Sequence, residues 1–355
     1  GAHVKVAIVG CGYVGAVTGI GLASLGHDVV GIDQDAERVA ILERGETPFH
    51  EPGLEDALRA ARTDGRFRAT GALAHAAEAD VVFLCVQTPP TSNGTVELGY
   101  LVSAAEALAG SLLTADASPP VVAIRSTVPP GTNSGVVAPL FAALGHVAVA
   151  SNPEFLREGS ALADFLEPDR VVVGVREASA ADALRMLYAP LGAPFLVTSP
   201  ETAELAKYAA NALLATLVSF SNEIARVCES TPGVDVEDVL GIVHRDRRLT
   251  VAMPGRDVAA EIVSYLRAGC GYGGSCLAKD LAALTAYAES LGEEASLLRA
   301  VAAINDDQAR RLVERADGAA GGLRGRRVAV LGAAFKAGTD DLRNAPSLRV
   351  VGALV

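Results

Sequence analysis

No apolar run in this chain reaches the roughly 20 residues that a membrane-spanning helix needs. The sequence therefore predicts no membrane segment, and because it enters a strand almost at once, no signal peptide either. Cysteine is scarce and scattered: Cys11, Cys85, Cys228, Cys270 and Cys276 include no Cys-x-x-Cys pair. That pattern argues against a zinc site or a disulfide framework and fits a reducing cytoplasm. Positive charge is also short. A formal net charge of −12 argues against nucleic-acid binding through a broad basic surface, although a local pocket can still take an anion. Tryptophan is absent, and alanine and valine dominate. The opening Gly1-Ala2-His3 reads as a tag remnant.

What is present is ordinary for a globular protein. Of the 355 residues half are hydrophobic and a fifth charged, enough for two or three domains with a large core. Short runs rich in β-branched residues at 4–9, 27–33, 80–86, 121–126, 147–151 and 170–174 read as buried parallel strands. Helical stretches near 16–25, 35–44, 53–61 and 98–113 alternate with them. This predicts an α/β fold whose N-terminal Rossmann-like unit, a doubly wound parallel sheet, occupies residues 1–198. Residues 201–229 then run helical without an internal glycine or proline, roughly 40 Å at 1.5 Å per residue. A helix that long reads as a domain connector or dimer spine. An all-helical central domain is expected over 199–317, broken by an irregular stretch near 245–258. After the linker Gly318-Ala-Ala-Gly-Gly322, the run Arg327-Val-Ala-Val-Leu-Gly332 echoes the first strand. It predicts the start of a second Rossmann-like unit over 324–355, cut short by truncation or by residues not seen.

Gly10-Cys-Gly-Tyr-Val-Gly15 follows the first strand and opens a helix, and Asp33 ends the next strand. Glycines there allow a tight turn and a close pyrophosphate approach to the helix N-terminus. Asp33 would accept hydrogen bonds from the adenosine ribose and repel a 2′-phosphate, which favours NAD over NADP; Arg38 nearby softens that preference. In its strand–turn–helix–strand–acid context the motif is specific. FAD, or a glycine-rich turn that binds nothing, are the alternatives. Thr88, Ser126 and Thr127 lie at strand C-termini, where open sheets bind ligands.

Three further clusters carry reactive groups. Glu154 and Glu158 follow a strand and share a face if that segment is helical, although acids so spaced also form solvated faces. Lys207 and Asn211 stand four apart on the long helix among small and apolar neighbours, where a plain surface lysine is the alternative. In Gly271-Tyr-Gly-Gly-Ser-Cys-Leu-Ala-Lys-Asp280, Cys276 follows a glycine-rich turn and begins a helix, with Lys279 and Asp280 within a turn. The helix dipole and the ammonium both favour the nucleophilic thiolate.

The glycine fingerprint, the 152–158 segment, Glu204-Leu-Ala-Lys-Tyr-Ala-Ala-Asn211, the 271–280 stretch and Phe335-Lys-x-x-Thr-Asp-Asp-x-Arg343 together resemble the UDP-glucose/GDP-mannose dehydrogenase family. Order and spacing also match, over the whole chain, and within the family the UDP-glucose 6-dehydrogenase branch is most similar. The resemblance implies NAD-dependent, four-electron oxidation of a nucleotide sugar at C6 through a covalent adduct on Cys276. It implies that Lys207 and Asn211 stabilise an oxyanion, that Asp280 and Thr127 hold and activate a water, and that Glu154 serves as acid and base. Cofactor contacts are implied for Gly10, Cys11, Gly12, Tyr13, Val14, Gly15, Asp33, Arg38, Thr88, Ser126, Thr127, Glu158, Lys279 and Arg343. Sugar-nucleotide contacts are implied for Glu154, Phe155, Leu156, Lys207, Asn211, Tyr265, Arg267, Gly271, Gly273, Phe335 and Lys336. A homodimer or higher homo-oligomer is the expected assembly.

The chain departs from the family pattern in three places. Where an arginine usually precedes Tyr265-Leu-Arg267, the aligned stretch is Ala260-Glu-Ile-Val263, with Arg256 nearby. Residues 244–258 read as a local insertion, and most of a C-terminal nucleotide-binding domain is missing. UDP- and dTDP-hexoses are both open as substrates. The rival readings are a two-electron β-hydroxyacid-type dehydrogenase, which does not need Cys276, and a silent NAD-binding module.

Overall fold

The computed structural model describes residues 3–115, 118–145, 147–253 and 256–355. They divide into two compact units: 1–91 with 96–207, and 92–95 with 208–355.

The first unit is built on one sheet of eight strands: β1 (Lys5–Val9), β2 (Asp28–Ile32), β3 (Phe67–Thr70), β4 (Val81–Leu84), β5 (Val121–Ile124), β6 (Val149–Ser151), β7 (Val171–Gly174) and β8 (Phe195–Thr198). Their order is β3-β2-β1-β4-β5-β6-β7-β8. Every neighbouring pair is parallel except β6–β7, which meet antiparallel at Ser151 and Gly174. The alternation of the strands feeds two cores. Val6, Ile8, Val81 and Phe83 point to one, with side chains of α1 (Tyr13–Ser24) and α3 (Leu54–Thr63). Ala7, Val9, Val82 and Leu84 point to the other. A strand buried on both faces has no polar position to spare, which is why these strands read as continuous apolar runs.

The remaining helices of this unit are α2 (Ala36–Glu43), α4 (Gly99–Leu113), the single turn α5 (Ala138–Leu140), α6 (Ala161–Leu166) and α7 (Ala178–Tyr188). Strands β3 and β8 escaped the sequence pattern. Each has four residues; β3 carries Arg68 and β8 has two exposed positions, so neither makes an apolar run.

The long helix α8 (Pro200–Glu229) forms at the length its lack of glycine and proline predicts. It continues into the second unit, which adds α9 (Val236–His244), α10 (Leu277–Ser290), α11 (Ser296–Ala320) and α12 (Pro346–Leu354). Ala212, Ala215, Tyr272, Leu281 and Val301 make its core. Two expectations are corrected. The stretch near 245–258 holds an antiparallel hairpin, β9 (Thr250–Met253) with β10 (Arg256–Ala259), so the central region is not wholly helical. Residues 254–255 and the Arg256 side chain lie outside what is described. Residues 327–332 form no strand: they are exposed, Leu331 at 92%, and among the described residues nothing pairs with them. A parallel strand exists only with a neighbour to bond it. Residues 152–157 are not helical, so the condition under which Glu154 and Glu158 would share a helix face is not met.

Candidate active site

The glycine turn leaves β1 beside the point where the strand order reverses between β1 and β4. Gly10 has φ of +93°, and a Cβ there would meet the Cys85 carbonyl oxygen at 2.8 Å. A Cβ on Gly15 would sit 1.8 Å from the Gly10 carbonyl oxygen, so the turn closes only with glycine at both positions. Gly12, the N-cap of α1, is different: its missing Cβ faces open space. That gap, at the amide end of a 12-residue helix, has the shape and polarity a pyrophosphate requires. Tyr13 and Val14, both half-buried, begin the helix.

Asp33 is buried just beyond β2 and is held on both oxygens. Its Oδ2 accepts from the Cys11 amide at 2.7 Å and from Arg38 Nη1 at 3.0 Å, and its Oδ1 accepts from the Asp35 amide at 2.9 Å. The carboxylate is thereby fixed against the turn, where ribose hydroxyls would find it. Arg38 is committed to Asp33 and to Asp35, 3.6 Å away, rather than projecting as a lone cation for a 2′-phosphate. At the ends of the central strands, Ser126 Oγ donates to the Val86 carbonyl at 2.6 Å and Thr88 Oγ1 to the Thr127 carbonyl at 2.9 Å. These bonds tie the two loops of the cofactor edge together.

The acidic segment is an extended strand exit held by a charge that the sequence reading passed over. Arg125 is buried at the end of β5, and its Nη1 donates to the Asn152 side chain at 2.9 Å and backbone at 3.2 Å. Tyr188 donates to the same Asn152 oxygen at 2.6 Å. A charged residue closing the run Val121-Val-Ala-Ile-Arg125 was the available signal. Glu154 emerges from this anchor fully inside the unit. Its Oε1 lies 3.1 Å from Lys207 Nζ, with both side chains under a tenth exposed. Burial opposes the charged carboxylate, but Lys207, the Leu156 amide and Arg125 together outweigh it and hold the Glu154 carboxyl below its ordinary value. Phe155 lies under both Arg170 and Lys207, with centroid distances of 4.2 and 5.4 Å.

One turn before Lys207 on α8, buried Glu204 accepts from the amides of Gly131 and Asn133 and from Ser151 Oγ, between 2.7 and 3.0 Å. It pins the start of the helix to the sheet and was not among the residues expected to matter. Glu51, equally buried and equally unforeseen, ties Tyr13 to the start of α6.

In the second unit the reactive stretch folds as its spacing predicts. Cys276 is exposed and is the N-cap of α10. Burial pushes the Cys85 thiol up to about 12 and the Cys11 thiol higher still, so neither serves as a nucleophile. Asp280, one turn into α10, is buried. It accepts from Asn211 Nδ2 on Oδ2 and from Lys279 Nζ on Oδ1, both at 2.6 Å. The preceding turn is compact: a Cβ on Gly273 would meet the Asn344 carbonyl oxygen at 2.6 Å, and one on Gly274 would meet the Phe335 ring at 3.0 Å. The Gly274 amide donates to the Arg343 carbonyl at 2.9 Å. Phe335 and the backbone of Arg343 are thus brought to the glycine turn, while Lys336 is exposed and the Arg343 guanidinium pairs with Asp341 at 2.8 Å. Gly271 packs against Asn305, whose oxygen accepts the Tyr272 amide. Tyr265 ends a 3₁₀ turn (Glu261–Tyr265) and Arg267 is exposed beyond it. Ala260, ahead of that turn, is exposed.

Comparison with known proteins places these features in context. Residues 4–192 match the NAD binding domain of the UDP-glucose/GDP-mannose dehydrogenase family, and residues 201–307 match its central domain. A UDP-glucose 6-dehydrogenase from Pseudomonas aeruginosa is 43% identical over 99% of this chain and 76% of its own length. One from Bacillus subtilis is 39% identical over 99% of this chain and 77% of its own. Among solved structures, a UDP-glucose dehydrogenase from Pyrobaculum islandicum superposes with a TM-score of 0.91 at 41% identity, covering 99% of this chain and 79% of that one.

Proposed function

This chain belongs to the UDP-glucose/GDP-mannose dehydrogenase family, and from that premise we propose that it oxidises the C6 alcohol of UDP-glucose to the carboxylate of UDP-glucuronate. It is an NAD-dependent nucleotide-sugar 6-dehydrogenase. The observation that carries the four-electron reading is Cys276, exposed at the start of α10 behind a glycine turn with no room for side chains. A two-electron enzyme has no use for that thiol.

Bound NAD supplies the hydride acceptor for each of the two oxidations. Gly10, Gly12 and Gly15 would hold its pyrophosphate and Asp33 its ribose, with Thr88, Ser126 and Thr127 on the nicotinamide side. The protein's own groups do the rest. Asp280 takes the proton of the C6 hydroxyl in the alcohol step, and Asn211 and Lys279 orient its carboxylate. The Cys276 sulfur adds to the resulting aldehyde, forming a C–S bond and a thiohemiacetal. Loss of the second hydride leaves a thioester, and water then displaces the thiol to give the carboxylate. Lys207 stabilises the negative charge that develops on the C6 oxygen, with Asn211 as second donor. Glu154, anionic against Lys207, serves as acid and base for the water, which Thr127 and Asp280 hold. Glu158 would line the shared sugar and cofactor region, Phe155 and Leu156 the sugar, and Gly271, Gly273, Tyr265, Arg267, Phe335 and Lys336 the sugar nucleotide. Lys279, while it keeps its bond to Asp280, and Arg343 would contact the cofactor.

Domains are proposed at 1–198, 199–317 and 324–355. Leu213, Phe220 and Val227 form an exposed apolar seam at seven-residue spacing on α8, each more than two-fifths exposed. We assign that seam to pairing with a second copy; a monomer by light scattering would remove the assignment. No helix among the described residues is long and apolar enough to cross a membrane. The scattered cysteines support the cytoplasm as the compartment.

The test is a panel of UDP-glucose, dTDP-glucose, GDP-mannose and UDP-N-acetyl sugars, counting NADH per product. UDP-glucose should give the highest kcat/KM and two NADH per uronate. One NADH and a carbonyl product would make this a two-electron enzyme. Normal NAD binding with no turnover on any sugar would make it a silent module.

A further inference from the structure

Glu51 is a buried carboxylate of the first unit that the mechanism above does not use. It is 4% exposed and carries three hydrogen bonds. The Tyr13 hydroxyl donates to its Oε2 at 2.5 Å, the Gly159 amide donates to the same oxygen at 2.8 Å, and the Ala161 amide donates to Oε1 at 2.7 Å. Its donors come from two places that matter separately. Tyr13 is the first residue of α1, immediately after the Gly12 gap that suits a pyrophosphate. Gly159 and Ala161 directly follow the 152–158 segment, whose Glu154 faces Lys207.

The surroundings make this link stiff. The Phe49 ring packs on Tyr13 with centroids 4.8 Å apart. Gly53, at φ +77°, turns the chain so that the loop lies against Leu162 of α6. Burial, then the bond to Glu51, raises the Tyr13 phenol far above its ordinary range, so it stays a donor at every working pH. The charge of Glu158 acts on the same phenol. Three donors on one desolvated carboxylate hold it in a single rotamer.

We propose that Glu51 is a positioning residue that carries the location of the cofactor turn to the 152–158 segment, so that seating NAD and holding Glu154 against Lys207 are one event. The proposal rests on the reading of Glu154 and Lys207 as reaction groups, and it adds that their alignment is set from the cofactor side.

The experiment is a double-mutant cycle on the full chain with Y13F, E51Q and the double variant. NAD affinity is read by calorimetry, and kcat is read at saturating NAD. Y13F should weaken NAD about fivefold and lower kcat at least about threefold, the scale of one lost hydrogen bond. E51Q should weaken NAD roughly 30-fold and lower kcat further, because an amide cannot accept from all three donors. The double variant should match E51Q within about twofold, as expected for residues in one network. Additive losses, or a kcat for Y13F equal to wild type at saturating NAD, would overturn the proposal. If E51Q does not fold, the kcat of Y13F decides alone. NAD affinity is read without substrate, so a wild type that binds NAD yet oxidises no nucleotide sugar defeats the functional reading and leaves the affinity cycle to judge the link.

Discussion

Cys276→Ser should stop uronate production while leaving the first oxidation in place. The serine hydroxyl is a poor nucleophile toward the C6 aldehyde, and any ester formed after the second oxidation loses its leaving group far less readily than a thioester does. Carboxylate release should fall by at least about 10³-fold, the scale on which removal of a covalent nucleophile acts. NADH would then appear as a single burst of at most two per site. Mass spectrometry of the digested protein should find the sugar nucleotide attached to the peptide that carries residue 276. The variant tests chemistry and not folding, since Cys276 is exposed at a helix start and belongs to no core cluster. Buried Cys11 and Cys85 cannot take over, because desolvation holds both thiols protonated. Full uronate production by Cys276→Ser, at two NADH each, would show that the thiol is not the nucleophile.

What made this residue legible was local. A helix start is written in neighbouring residues, so the 271–280 stretch, the glycine fingerprint and the span of α8 could all be read directly. Strands buried on both faces were legible for the same reason. The residues that support the site were not. Arg125, Glu51 and Glu204 act across 27 to 110 positions of sequence, and nothing in their immediate surroundings announces a partner. The 152–158 segment was open in the same way. Two acids four apart share a face only in a helix, and the Arg125 and Tyr188 bonds to Asn152 anchor a segment that is not helical. Residues 327–332 show the opposite failure: the apolar pattern is that of a strand, and pattern alone cannot supply the neighbour a strand requires.

Lys207→Ala should reduce kcat by roughly 10²- to 10³-fold, the loss measured when one donor to a developing oxyanion is removed. The KM for NAD should change far less than kcat, because the hydrogen bonds that fix Asp33 and close the glycine turn involve none of α8, and Lys207 reaches the cofactor side only through Glu154 and the Glu51 link. The same substitution has a second, measurable effect. Glu154 is buried, and Lys207 is the strongest of the influences that keep its carboxyl below the ordinary value of 4.5. A carboxyl depressed in the folded state stabilises the fold above its unfolded pKa, and that contribution is lost as pH falls through the folded value. Without Lys207 the folded value rises. The acid edge of stability in the variant should therefore move to higher pH, with about 3 kcal/mol lost near neutrality because a buried charge has lost its main counter-ion. Urea titrations at several pH values separate this loss from the kinetic one. If the folded variant turned over normally and only its NAD affinity had changed, Lys207 would belong to the cofactor and not to the reacting oxygen.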